Sequence, residues 1–235
     1  MMSEEFSRTE LLLGAEAMER LAAARAAVFG VGGVGGYTVE ALVRSGIGAI
    51  DIIDSDTVSV SNLNRQIIAL RSTVGQYKVD VFEERIGQIN PDCTVRKYRT
   101  FFMPDTAGEF DFSQYDYVVD AIDTVTGKIE LAVRCSECGT PIISSMGAGN
   151  KLNPAMLEVA DIYETSVCPL ARVMRYELRK RGIPALKVVY SKEKPLTPQG
   201  EKGGGKIVPG STAFVPSAAG LIAASEVIKD LISQK

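Results

Sequence analysis

Three glycines and one carboxylate are the first residues in this chain whose spacing suits chemistry. Gly30, Gly32 and Gly35 form a G-x-G-x-x-G pattern within Ala26-Ala27-Val28-Phe29-Gly30-Val31-Gly32-Gly33-Val34-Gly35-Gly36. The first glycine makes a tight turn, the second lets backbone approach a phosphate, and the third lets a helix pack on its strand. A helix starting there points free N–H groups and the positive end of its dipole at the phosphate. A second apolar run, Ile50–Ile53, ends in Asp54, close to the separation at which a ribose-binding acid is expected. The order strand, glycine turn, helix, strand, acid predicts a nucleotide site. It leaves the nucleotide open among NAD, FAD and ATP.

These residues need a scaffold, and the hydrophobic pattern supplies one. Glu10–Ala24 reads as a helix with Leu11, Leu12, Met18 and Leu21 on its apolar stripe. Val34–Arg44 is the crossover helix after the first strand, closed by Ser45-Gly46. Asp56–Ser72 is polar and irregular, and Gln76–Asn90 is a helix ended by Pro91. Thr94–Tyr98 and Tyr117–Ala121 read as strands, the second apolar enough to be central and covered on both faces. Thr124–Cys138 is a helix, Pro141–Ser145 a strand, Leu157–Ala160 another, and Ser166–Arg181 a basic helix. Leu186–Tyr190 is β-like, Ser191–Gly210 a mobile Lys-, Gly- and Pro-rich loop, and Ser217–Ile232 the closing helix. Strands alternating with helices predict an α/β fold, a doubly wound, mostly parallel sheet with helices on both faces and a C-terminal extension.

Composition narrows the chemistry. The chain has 235 residues, enough for one large domain, and 46% of them are hydrophobic. It contains no histidine. That excludes a histidine general base, a Ser-His-Asp triad and a histidine-ligated metal. Its four cysteines are scattered, as expected for a reducing, cytoplasmic setting. Met1–Glu10 is polar and acidic, with no secretory pattern. The apolar run near Ala213–Ala224 is too short for a bilayer span and reads as a buried helix. The net charge of −3 hides an asymmetry: Arg172–Lys206 holds ten Lys or Arg and three Glu. Such a block suits a polyanionic partner, or else a solvated helix face and loop.

The stretch after the second strand is the most informative. Asp54-Ser55-Asp56-Thr57-Val58-Ser59-Val60-Ser61-Asn62-Leu63-Asn64-Arg65-Gln66 is followed by Val74-Gly75-Gln76-Tyr77-Lys78. Here the chain resembles the ubiquitin-activating-enzyme-like adenylyltransferases, which include the molybdopterin- and thiamine-biosynthesis enzymes. D-x-D-x-V-x-x-S-N-x-x-R-Q and V-G-x-x-K are their signatures, and the resemblance runs from about Arg8 to the C-terminus. It implies a Rossmann-like adenylation domain over residues 1–235, with a nucleotide-binding core at 1–160 and a substrate-facing part at 161–235.

The residue types fit ATP. Transfer at the α-phosphate needs fixed cations, and Arg65 and Lys78 can supply a forked and a point charge. Asn62 suits a phosphate or ribose contact, or alternatively caps a short helix. Asp54 suits ribose hydroxyls. Asp56 joins the cofactor-binding set, or forms an Asx turn. Gly33 and Gln66 complete that set beside Gly30, Gly32 and Gly35. Asp123 ends the run Val118-Val119-Asp120-Ala121-Ile122-Asp123, at a strand end where such sheets bind ligands. Asp120 suits a role in the fold. The resemblance makes Asp123 the Mg ligand and the organiser of the reaction. It also makes Arg8 a residue donated to the other subunit's site of a homodimer.

Cysteine usage separates the branches. Sulfur-carrier adenylyltransferases carry two C-x-x-C pairs that hold zinc. This chain has one, Cys135–Cys138, inside a helix, so no zinc is expected. The loop 191–210 lacks the cysteine those enzymes use for sulfur transfer. Met146-Gly147-Ala148-Gly149-Asn150-Lys151-Leu152-Asn153-Pro154, Asp161, Cys168-Pro169-Leu170-Ala171-Arg172, Arg175 and Leu178-Arg179-Lys180-Arg181-Gly182-Ile183 resemble instead the tRNA threonylcarbamoyladenosine dehydratases. That resemblance implies ATP-dependent adenylation of the modified adenosine's carboxylate, then internal ring closure. It also implies a monovalent cation, Na or K, for which Gly210-Ser211-Thr212-Ala213-Phe214 has carbonyls to offer. A sulfur-relay partner is not expected, because the C-terminal cysteine of some members is absent. The alternative is activation of a ubiquitin-like sulfur carrier. Arg172, Arg175, Arg179, Lys180 and Arg181, with Lys192, Lys194, Lys202 and Lys206, are then candidates for tRNA phosphates.

Overall fold

The computed structural model describes residues 4–198 and 209–233. A seven-stranded sheet runs in the order β3-β2-β1-β4-β5-β7-β6. Its strands are β1 (Arg25–Phe29), β2 (Ala49–Ile53), β3 (Thr94–Tyr98), β4 (Tyr117–Asp120), β5 (Ile142–Ser145), β6 (Leu157–Asp161) and β7 (Lys187–Ser191). All neighbours are parallel except β6, which pairs antiparallel with β7 at the edge. The predicted doubly wound, mostly parallel sheet is the one observed.

Period-two alternation assigns each strand residue to one face of the sheet. Ala26, Val28, Tyr117 and Val119 face a core completed by α3 (Gly35–Arg44), α4 (Lys78–Ile89) and α7 (Phe214–Ser233). Ala27, Phe29 and Val118 face the other side, where Phe102, Phe110 and Phe112 surround Phe29 under α5 (Val125–Cys138). A third cluster packs α5 against α6 (Pro169–Lys180) and β7 through Ala132, Met174, Leu178 and Val188. Each fully buried side chain of this size contributes about 1.5–3 kcal/mol. The closing helix belongs to the nucleotide half: Ala219, Ala223 and Val227 lie in the core with Val39 and Leu42, and Thr38 Oγ1 donates to Gly220 O at 3.0 Å.

The N-terminus departs from expectation. Instead of one helix over 10–24 there are α1 (Ser7–Leu13) and α2 (Ala15–Ala23), broken at Gly14, whose φ is 86°. Helical register does not carry across that residue. Only Met18 and Leu21 of the expected stripe are buried, while Leu11 and Leu12 are 89% and 84% exposed. Among the described residues no helix is long and apolar enough to cross a membrane.

Candidate active site

The chain winds from β1 outward to β3, then returns to β4 on the other side of β1. A crevice opens at the carboxyl ends of the strands where the order reverses. Gly30 leaves β1 there with φ 83°, and a Cβ on it would meet Ala121 O at 2.9 Å. Gly35 starts α3 so close to the strand that a Cβ would lie 1.8 Å from Gly30 O. These two glycines therefore shape the turn, while Gly32 and Gly33 line the crevice.

The crevice encloses ≈ 290 Å³. Asp54, Asp56, Asn62, Arg65, Gln66, Lys78 and Asp123 all line it, arriving from five segments of the chain with the glycines. Asp54 is locked: Oδ2 accepts Val31 N–H at 2.9 Å and Oδ1 accepts Asp56 N–H at 2.9 Å. The carboxylate thus ties the end of β2 to the glycine turn and makes the Asx turn itself. Lys78, buried at the start of α4, donates to Asp56 Oδ2 at 2.7 Å, with Asp54 Oδ2 at 3.6 Å. Asn62 Oδ1 accepts Ser59 N–H at 3.0 Å in a capping box around the short 3₁₀ turn Val60–Asn62, so the capping alternative holds for its oxygen. Arg65 is steered by Ser61 O and Asn64 Oδ1, both at 2.9 Å. Gln66 lines the crevice, and its buried Oε1 has no hydrogen-bond partner among the described residues. Asp123 stands exposed at the end of the β4–α5 connection, within 3.5 Å of Thr124 Oγ1.

Several lining residues escaped the sequence reasoning. Ile53, Thr100, Phe101, Phe102 and Ile122 form an apolar wall suited to a purine face. Thr100–Phe102 lie just past β3, so the strand-end rule was the available signal. Beneath Asp123, Asp120 is fully buried and accepts from Lys128 Nζ at 2.9 Å and from Ser144 Oγ. Asp120 also accepts Ile122 N–H at 3.3 Å, which braces the loop carrying Asp123. Asp120 thus serves the fold, and nothing in the pattern of an ordinary helix marked Lys128 as its buried partner.

Other sequence candidates lie elsewhere. Arg8 is on α1, outside this crevice. Cys135 is buried, Cys138 exposed, and Cys93 and Cys168 buried. Burial pushes the Cys93 thiol up to about 11 and raises that of Cys135 as well, so neither is poised as a thiolate. Arg175, expected among the RNA-facing cations, instead donates to Thr165 O at 3.0 Å and to Thr165 Oγ1; the helix register turns it inward to fasten the preceding loop. Arg181 pairs with Glu177 at 2.6 Å, and Lys192 with Glu158 at 2.8 Å. Arg172, Arg179 and Lys180 are exposed, the last two lying over the rings of Tyr163 and Tyr176. Lys202 and Lys206 lie outside the described residues. Within the expected mobile loop, Leu196 N–H is held by Asn150 O, and Glu193 accepts from Leu152 and Asn153 N–H. Gly210 O and Ser211 O each accept a protein N–H, from Asn150 N and Asn64 Nδ2.

Comparison with known proteins agrees with this geometry. Residues 6–235 match the model of the ThiF family. The chain is 44% identical to the tRNA threonylcarbamoyladenosine dehydratase of Bacillus subtilis, over 98% of this chain and 96% of that one. It is 39% identical to the Escherichia coli protein of the same name, over 84% of this chain and 77% of that one. Among solved structures, the Escherichia coli tRNA N6-threonylcarbamoyladenosine dehydratase in complex with ATP superposes with a TM-score of 0.90 at 36% identity, covering 99% of this chain and 97% of that one.

Proposed function

The chain belongs to the ThiF family, and from that premise we propose that it catalyses the ATP-dependent dehydration of threonylcarbamoyladenosine in tRNA to its cyclic form. One observation carries the reading: Arg65, Lys78 and Asp123 line a single cleft with the glycine turn and Asp54. The threonyl carboxylate attacks the α-phosphate of ATP and pyrophosphate leaves. An atom of the same modification then attacks the acyl carbon, releases its proton and expels AMP. The RNA loses one water, whose oxygen departs in AMP. No imidazole or thiol is required, in keeping with a chain that has no histidine.

Each residue has a part. The N–H groups of the glycine turn, Arg65 and Lys78 hold phosphate oxygens, the triphosphate competing with Asp56 for the Lys78 ammonium. Asp54, fixed by two backbone N–H groups, keeps lone pairs for ribose hydroxyls, and Asn62 keeps its amide N–H groups. Asp123 and Asp56 are the exposed carboxylates of this crevice, Asp56 already paired with Lys78, and no group of three or more acidic or cysteine ligands occurs among the described residues. One carboxylate plus phosphate oxygens is the usual setting for Mg. When bound, Mg would neutralise charge developing on the transferred phosphoryl group. A monovalent cation near residues 210–214 would draw on second lone pairs of carbonyls already in use.

The assembly we infer is a homodimer in which α1 of one copy, with its exposed Leu11 and Leu12, brings Arg8 to the other copy's cleft. Residues 1–160 then bind nucleotide and 161–235 face RNA, α7 excepted. A tRNA substrate supports a cytoplasmic setting for the enzyme. The test is pyrophosphate release on adding threonylcarbamoylated tRNA to protein and ATP. Release that depends on the modification supports the reading; none, with folded protein, removes it.

A further inference from the structure

Another cleft, of ≈ 350 Å³, lies between α5 and α6, outside the nucleotide site. It begins where the first one ends. Thr124 lines the ATP crevice, and the next residue, Val125, lines this groove. Val125, Ile129, Val173 and Pro104 form an apolar floor. Its polar rim is Glu130, Glu177 and Arg181. Both carboxylates are already neutralised, Glu130 by Arg134 at 2.7 Å and Glu177 by Arg181 at 2.6 Å.

That lining selects against a phosphate and for a flat neutral ligand. No unpaired cation faces the groove, so a polyanion gains nothing there. An aromatic ring gains apolar contact on its faces, and Arg181 can donate to ring nitrogens at its edge. The unneutralised cations Arg172, Arg179 and Lys180 lie nearby on the outer face of α6, where a sugar–phosphate chain would pass.

Resting on the proposed dehydratase reading, we infer that this groove holds the adenine base of the modified adenosine while its threonyl carboxylate enters the ATP crevice past Thr124. The linkage enforces such a neighbourhood. From carboxylate carbon to ring carbon there are five bonds, a span of about 6 Å. A base whose carboxylate reaches an α-phosphate near Thr124 therefore stays within about that distance of it, and the groove that starts at Val125 is a space of that kind. RNA recognition through an unstacked base with its flanking phosphates on cations is the usual mode for loops.

Val173 tests this, because it is 42% exposed and tolerates exchange without unfolding the helix. Val173→Glu puts a charge against the base, and the KM for threonylcarbamoylated tRNA should rise about tenfold while the KM for ATP stays unchanged. Val173→Ile should behave like the native protein. Titrating the native protein with threonylcarbamoyladenosine nucleoside should shift the methyl resonances of Ile129 and Val173, and adding AMP should not. An unchanged RNA KM in Val173→Glu, or nucleoside shifts that avoid these methyls, overturns the inference even when the native protein consumes ATP with modified tRNA. If the native protein consumes none, the reading beneath the inference fails, and the inference falls with it.

Discussion

In the ATP crevice nearly every charged group is tied to backbone or to another charge, whereas along α6 the cations divide between ties and open solvent. Asp54 is held by two N–H groups, and Lys78 by two carboxylates. On α6, Arg175 is fastened to Thr165 and Arg181 to Glu177, while Arg172 stands exposed. Positions in the crevice are therefore fixed by geometry to fractions of an ångström, as transfer at phosphorus demands. The α6 surface, if it meets RNA as we propose, needs only charge and reach, as a phosphate backbone demands. Function built on position leaves a spacing that can be read in sequence; function built on a field leaves only composition.

The sharpest break of this contrast is in the crevice. Gly35→Ala puts a Cβ 1.8 Å from Gly30 O, so α3 must move off β1. We expect a stability loss of about 3 kcal/mol or more, seen as a lowered urea midpoint together with lost ATP binding. Lys78→Met should keep the fold and lower the rate of adenylation about 10²–10³-fold, measured by pyrophosphate release. An equal effect on ATP affinity alone would make Lys78 a binding residue.

Changes on α6 sharpen the comparison from the other side. Arg172→Ala with Arg179→Ala should weaken tRNA binding and flatten its salt dependence by about two phosphate contacts, leaving ATP affinity intact. Arg175→Ala should instead lower stability by about 1–3 kcal/mol, by freeing Thr165, and leave the salt slope as it was. A salt slope that responds to Arg175 and not to Arg172 and Arg179 would reverse the assignment.

The smallest effect lies outside the crevice, where Arg85 and Arg44 grip Glu40 between α3 and α4. Burial pushes the Glu40 carboxyl up, but the two guanidinium groups outweigh it and hold it below the usual range. A depressed carboxyl stabilises the fold above its unfolded pKa, and that contribution is lost as pH falls through the folded one. Stability should therefore be flat near neutrality and fall below about pH 4, a limb that Glu40→Gln would blunt in pH-dependent thermal melts.

How far the sequence could be read follows the same division. β1 and β4 were legible because strands covered on both faces need continuous apolar runs, whereas β3, an edge strand of mostly exposed residues, was legible only by its place between the Pro91 helix stop and the next loop. The break at Gly14 was not, since one glycine inside an apolar stripe also fits an unbroken helix. The glycine turn and Asp54 were legible through spacing, and Asn62, Arg65, Gln66 and Lys78 through the motifs that carry the family resemblance; the fold brings them to one crevice. Lys128 and the wall at Thr100–Phe102 were not, because their partners are distant in the chain and only the fold brings them together. The tie of Arg175 to Thr165 was hidden for a related reason: composition counts a cation without saying which way its helix turns it.

The central claim is that a carboxylate of the RNA attacks the α-phosphate of ATP in the crevice lined by Arg65, Lys78 and Asp123. Labelling that carboxylate with heavy oxygen in threonylcarbamoylated tRNA and running one turnover with ATP tests it directly. The account predicts the label in the phosphate of AMP and none in pyrophosphate. Label appearing in inorganic phosphate or pyrophosphate, or retained wholly in the RNA after ring closure, would contradict it.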